Sequence, residues 1–148
     1  MPAEMHALLA EYPREAWEAH PGFKDETRNW LGAHLMFRRL GNILRLDAEK
    51  HLNNELEVND FARRLAMYGN RLIGNLHSHH GWEDVEYFPE LCAADRRFDD
   101  GLKILENDHA TLDAVLDDLA EKGDRTIKLI ELDEKQARDE AGKFVTLR

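Results

Sequence analysis

Hydrophobic positions recur at three- and four-residue spacing along most of the chain. Short β-branched runs bounded by turn residues are nearly absent, so the pattern predicts helices and no sheet. The first long helix starts near Asp25 or Thr27, either of which can cap it, and runs to about Asp47 through "RNWLGAHLMFRRLGNILRL". Trp30, His34, Phe37 and Gly41 share one face of it, and Leu31, Leu35 and Leu44 widen the stripe. After the polar connection "AEKHLNNELEVND", Asn59 or Asp60 caps a second helix from Phe61 to about Phe88, where Pro89 is expected to end it. A third helix starts at about Asp99, with Leu102, Leu105, His109, Leu112, Leu116 and Leu119 as its stripe and Gly123 as its expected stop. A weaker fourth stretch covers roughly Thr126 to Val145. Residues 1–24, broken by Pro2, Pro13 and "HPG", read as an irregular N-terminal extension with at most a short helix. The expected fold is all-α: one domain over residues 1–148, an antiparallel up-down four-helix bundle with a weak or incomplete fourth helix.

Composition narrows the function. With 148 residues, 43% of them hydrophobic, the chain can build one ordinary core and is not a disordered acidic tail. A formal charge of -10 argues against a nucleic-acid partner, which needs a basic footprint, and disfavours an anionic membrane surface. The single cysteine, Cys92, permits no internal disulfide and no cysteine-rich zinc site. The start "MPAEMHALLAEYPREAW" lacks a basic region followed by a long apolar run, and no stretch approaches the roughly 18 apolar residues of a membrane span. A cytoplasmic protein is expected.

The chemistry concentrates in "NLHSHHGWEDVEYFPEL", Asn75 to Leu91, where three histidines and two acids sit beside Leu72, Ile73 and Leu76. On a wheel of about 100° per residue, His79 and Glu83 share the inward face with Leu65, Leu72 and Leu76. His80 lies on the flank with Tyr87, and His77 and Asp84 point outward. His34 sits in the stripe of the first helix and His109 in that of the third, with Asp113 one turn later. Each histidine alone has an ordinary reading as a hydrogen-bonded core residue, and HxxxE is also a common helix-surface pair. The joint pattern points to metal, because buried imidazoles and carboxylates are costly unless paired or metal-bound, and bundles often hold such sites. Asp113 reads as a ligand, as a partner of His109, or as one of several acids in "DAVLDDL". His80 reads as a supporting group or a partly exposed flank residue rather than a ligand. His6, His20 and His51 read as solvated, and Met36 and Met67 as core filler.

Three segments carry a resemblance. "HHGWEDVEYFP" resembles the HHxxE(E/D)xxxFP signature of hemerythrin-like (HHE cation-binding) domains, "NDHATLDAVL" the family's third-helix (E/D)H motif, and "GAHLMFRRL" its first-helix histidine. Together they span roughly Trp30 to Leu119. The resemblance implies an antiparallel four-helix bundle around a non-haem di-iron centre, and by position it implicates His34, His79, Glu83 and His109 as metal ligands. Asp113 has a weaker claim, and His80 would support the ligands. The chain departs from the pattern after His109, where no histidine follows to supply the family's fourth-helix HxxxE pair. Glu131, Asp133, Glu134 and Glu140 offer carboxylates there without the motif, and the sequence stops at "AGKFVTLR" in mid-pattern. Three explanations stay open: further native sequence with the missing ligands, a site with fewer metals, or completion from a partner chain. The first is the expectation.

The function expected from this reading is binding or sensing of O2 or another small diatomic, or of iron or oxidative state, at non-haem iron, with zinc as the alternative metal. No residue is assigned a catalytic role. A di-iron oxidase, a peroxidase-like or iron-repair protein, and a metal-free helical interaction protein are the competing readings. An unpaired apolar face left by a short fourth helix could drive a homodimer.

Overall fold

The computed structural model describes residues 2–146; Leu147 and Arg148, the last two residues of "AGKFVTLR", lie outside the described residues. Helices α1 (Ala3–Glu11), α2 (Asp25–Leu52), α3 (Val58–Trp82), α4 (Phe88–Ala94) and α5 (Asp99–Thr146) make up the chain, with 3-10 turns at Arg14–Ala16 and Arg96–Phe98 and a π turn at Glu83–Tyr87. No strand occurs among the described residues, so the all-α class is observed.

Local chemistry sets the boundaries. Asp25 and Glu26 open α2 and Lys50 and His51 close it, each favourable to the helix dipole. The helix runs five residues past the expected Asp47. Asn54 ends it with φ of 57°, and Glu55 N donates to Lys50 O at 2.8 Å, a left-handed cap that asparagine tolerates. The predicted polar connection therefore shrinks to residues 53–57. Glu57, not Asn59 or Asp60, opens α3: its carboxylate accepts from Asn59 N and Asp60 N, both at 3.0 Å, and those bonds hold its pKa below the ordinary glutamate value.

Two predicted stops are absent. Pro89 does not end the second helix, because the π turn closes through Phe88 N to Glu83 O and Pro89 then falls in the first turn of α4, where a missing N–H costs least. Nor does Gly123 separate a third from a fourth helix. Residues 99–146 form one helix of 48 residues. No glycine among the described residues has positive φ, so the left-handed cap expected at Gly123 is not formed. One interior glycine costs only about 1 kcal/mol, and Lys122 ties the segment together, through Nζ to Asp118 and as acceptor from Thr126 Oγ1 at 2.8 Å.

The fold divides into two compact units. The first comprises residues 1–38 and 74–115. Its core is Tyr87, Phe88 and Leu102, packed by Trp30, Trp82, Leu91, Cys92 and Phe98. Within it α2 and α3 run antiparallel, since Trp30 meets Glu83 while His34 meets His79. Likewise α5 opposes α3, with His109 beside Asp84 and Asp113 beside His77. The second comprises residues 39–73 and 116–148. Here buried Asp47 accepts from Arg64 Nε at 2.7 Å and Nη2 at 3.2 Å, while His51 stacks on Phe61 at 4.2 Å. His51 is thus half-buried rather than solvated. Met36 and Met67, expected as core filler, are 40% and 45% exposed, and Leu35, expected in the stripe, is 51% exposed, while Leu40 is buried in its place.

Candidate metal centre

Glu83 organises the site. It is 1% exposed, one of the two most completely buried large side chains, and a carboxylate so placed needs partners for both oxygens. Trp30 Nε1–H donates to Oε1 at 2.7 Å. His79 Nε2, one turn back on α3, presses against the same oxygen, and His34 Nε2 lies 3.6 Å from it. On the other side His109 Nε2, from α5, stands 2.9 Å from Oε2. Three helices of one unit thus converge on one carboxylate.

The tautomers follow from the outer ring nitrogens. His34 Nδ1–H donates to Trp30 O at 2.8 Å, which leaves its Nε2 lone pair facing inward. His109 Nδ1–H donates to Asp84 Oδ1 at 2.8 Å, which turns its Nε2 toward Glu83. His79 is held below the ordinary histidine value of 6.5 by burial, against the opposing pull of Glu83, so its imidazole is neutral at neutral pH. Its Nε2 is buried and, although in contact with Glu83, makes no hydrogen bond of acceptable geometry with any described residue. Ring nitrogens of three histidines therefore face the Glu83 carboxylate. A cation resolves that arrangement: His34, His79 and Glu83 each offer one ligand atom, all within 4.8 Å of one another. The donor set, imidazole nitrogen with carboxylate oxygen, suits iron or zinc.

The sequence-predicted residues divide. His34, His79, Glu83 and His109 come together around the carboxylate. Asp113 does not join them: its Oδ1 lies 3.2 Å from His77 Nδ1 and 4.0 Å from His80 Nδ1. His80 is buried, its ring stacked on that of His109 at 4.1 Å, and burial lowers its pKa. His77, expected to face water alone, is paired with Asp113 while remaining 41% exposed. Asp84 was expected to be solvated and instead holds His109. Trp30, expected only as apolar lining, is a hydrogen-bond donor to the centre.

The π turn accounts for Asp84. A 100° wheel assumes an unbroken α-helix, and on it Phe88, nine residues after His79, falls about 180° away, on the outer face. Phe88 is instead 1% exposed, in the core. The wider π turn holds the following residues back, so Glu83, Asp84, Tyr87 and Phe88 all serve the inner side. Trp30, His79 and Trp82, with Glu26, Asn29 and Ala33, line a cleft of about 450 Å³ that reaches the centre's edge.

The fold and this side-chain set define a helical protein with a histidine–carboxylate centre. Across residues 25–147 the sequence matches the family described as the hemerythrin HHE cation binding domain, and the chain belongs to that family. Comparison with curated proteins and with solved structures gave no match. No helix among the described residues is long and apolar enough to cross a membrane.

Proposed function

We propose that the protein holds non-haem iron at His34, His79, Glu83 and His109 and through it binds or senses O2 or a comparable small diatomic. The observation that carries this reading is the buried, unpartnered Nε2 of His79 facing Glu83 and His34, three ligand atoms within 4.8 Å of one another. Glu83 has its two oxygens directed at different histidines, which suits a carboxylate shared between two metal ions. Bound iron would supply a Lewis-acidic, redox-active centre. The chain's own residues fix the orientation of the rings, shield the centre behind Trp30 and Phe37, and leave the cleft beside His79 as the approach for a small ligand.

The test is elemental analysis of the purified chain with an absorption spectrum in air before and after dithionite. About two irons per chain, with a near-ultraviolet charge-transfer band bleached by reduction, are expected. The His79→Ala variant should lose that iron while keeping its helical circular dichroism. Iron content that is unaltered by His79→Ala, or no stoichiometric metal in the parent, would sink the reading.

A further inference from the structure

The cleft beside the centre carries a charge that the centre itself does not use. On α2 it is lined by Glu26, Asn29, Trp30 and Ala33, which three- and four-residue spacing puts on one face, and on α3 by His79 and Trp82. His79 belongs to the centre, where its buried Nε2 lacks a hydrogen-bond partner. Two indole rings and an alanine methyl make much of the remaining wall apolar. Among these six residues Glu26 is the only carboxylate; it is exposed and forms no hydrogen bond or ion pair with a described residue. A charge in a cleft with low-dielectric walls focuses its field along the cleft and concentrates ions of opposite sign there. The centre has a second open flank, where the His34 side chain is 42% exposed. One turn further along α2 stands Arg38, also exposed and without an ion-pair partner among the described residues. That flank meets an incoming cation with a like charge, so the two approaches differ in sign.

We propose that metal cations reach the Glu83 centre through the cleft and that Glu26 is the charge that steers them in. The inference rests on the metal-binding reading above and adds the route. Glu26 is a positioning residue: it gathers the hydrated ion at the mouth, and His79 is the ligand residue that the ion meets within the cleft. Ala33 keeps the passage open, because a larger side chain on that face would project into it. The same carboxylate turns anions away and leaves neutral diatomics unaffected, so one cleft serves both the loading of the centre and the approach of its small ligand.

The experiment mixes the metal-free full-length chain with cobalt(II) in a stopped-flow absorbance instrument; visible absorption reports imidazole coordination, and equilibrium dialysis counts the bound ion. Glu26→Gln should slow association at least about threefold at low salt, with the difference closing near about 1 M salt, where the screening length is about 3 Å. Its final spectrum and stoichiometry should match the parent, since Glu26 supplies no ligand. Glu55→Gln, which removes the same charge from an exposed position in the other unit, should leave the rate unchanged. Ala33→Phe should slow uptake and chelator-driven release by like factors and keep the dissociation constant, the mark of an obstructed passage rather than a damaged site. Glu26 is exposed, so its variant tests the route even if Ala33→Phe folds poorly. The route is overturned if Glu26→Gln loads at the parent's rate, if Glu55→Gln slows loading equally, or if Arg38→Gln alone speeds it, which would put entry on the His34 flank. A parent chain that takes up no cobalt would overturn the metal centre itself, and the route with it.

Discussion

At the scale of single residues, the centre depends on groups that never need to touch a metal. Asp84 holds His109 through Nδ1, and its side chain is 38% exposed, so it can be changed without opening the core. Asp84→Asn weakens the acceptor that fixes the ring, and metal affinity should fall about 10- to 100-fold with the fold retained, read by competition against a chelator. Trp30 acts differently. Its indole N–H donates to the buried Glu83 carboxylate at 2.7 Å. Trp30→Phe keeps most of the apolar bulk and removes that bond to a charged group. The metal-free chain should lose about 1.5–3 kcal/mol, measured by urea unfolding. An unchanged midpoint would mean that this bond adds nothing to the stability of the metal-free chain.

At the scale of elements, the legibility of the sequence was uneven for physical reasons. Periodicity located α2, α3 and the start of α5 at Asp99, because amphipathic spacing over many turns is a redundant signal. It placed His34, His79, Glu83 and His109 on inward faces for the same reason. It failed where one residue changes the helical repeat. The π turn at Glu83–Tyr87 has no composition of its own, so Asp84 was assigned to the wrong side. It failed again where a stop signal was outvoted by its surroundings. Gly123 resembles a C-terminal cap, yet strong helix formers on both sides carry α5 through it. Nothing lies within 4 Å of a Cβ added there. Gly123→Ala should therefore raise stability by up to about 1 kcal/mol, seen as a higher urea midpoint. A left-handed cap at that position would give the opposite sign, so the measurement decides between one helix and two.

At the scale of the whole molecule, charge and burial set a pH dependence. His79 and His80 have folded pKa values below 6.5, burial being the largest cause for both. When pH falls through 6.5 the unfolded chain takes up these protons before the folded one does. Stability that is fully present above that value is then lost on acidification, until the folded pKa values are passed and the slope levels. The metal-free protein should unfold at lower urea near about pH 5 than near about pH 8. His80→Leu should flatten part of that difference. Bound metal should deepen it, since protons compete with the ion for the same nitrogens.

Two of the chain's three tryptophans border the Glu83 centre: Trp30 bonds its carboxylate, and the Trp82 ring lies 6.0 Å from that of His79. The third, Trp17, is anchored elsewhere, on Tyr12 O. The molecule thus carries an optical gauge of its own occupancy. A paramagnetic ion arriving beside Glu83 would darken the emission of two fluorophores and leave one as an internal reference, so filling and emptying could be followed in real time without a label.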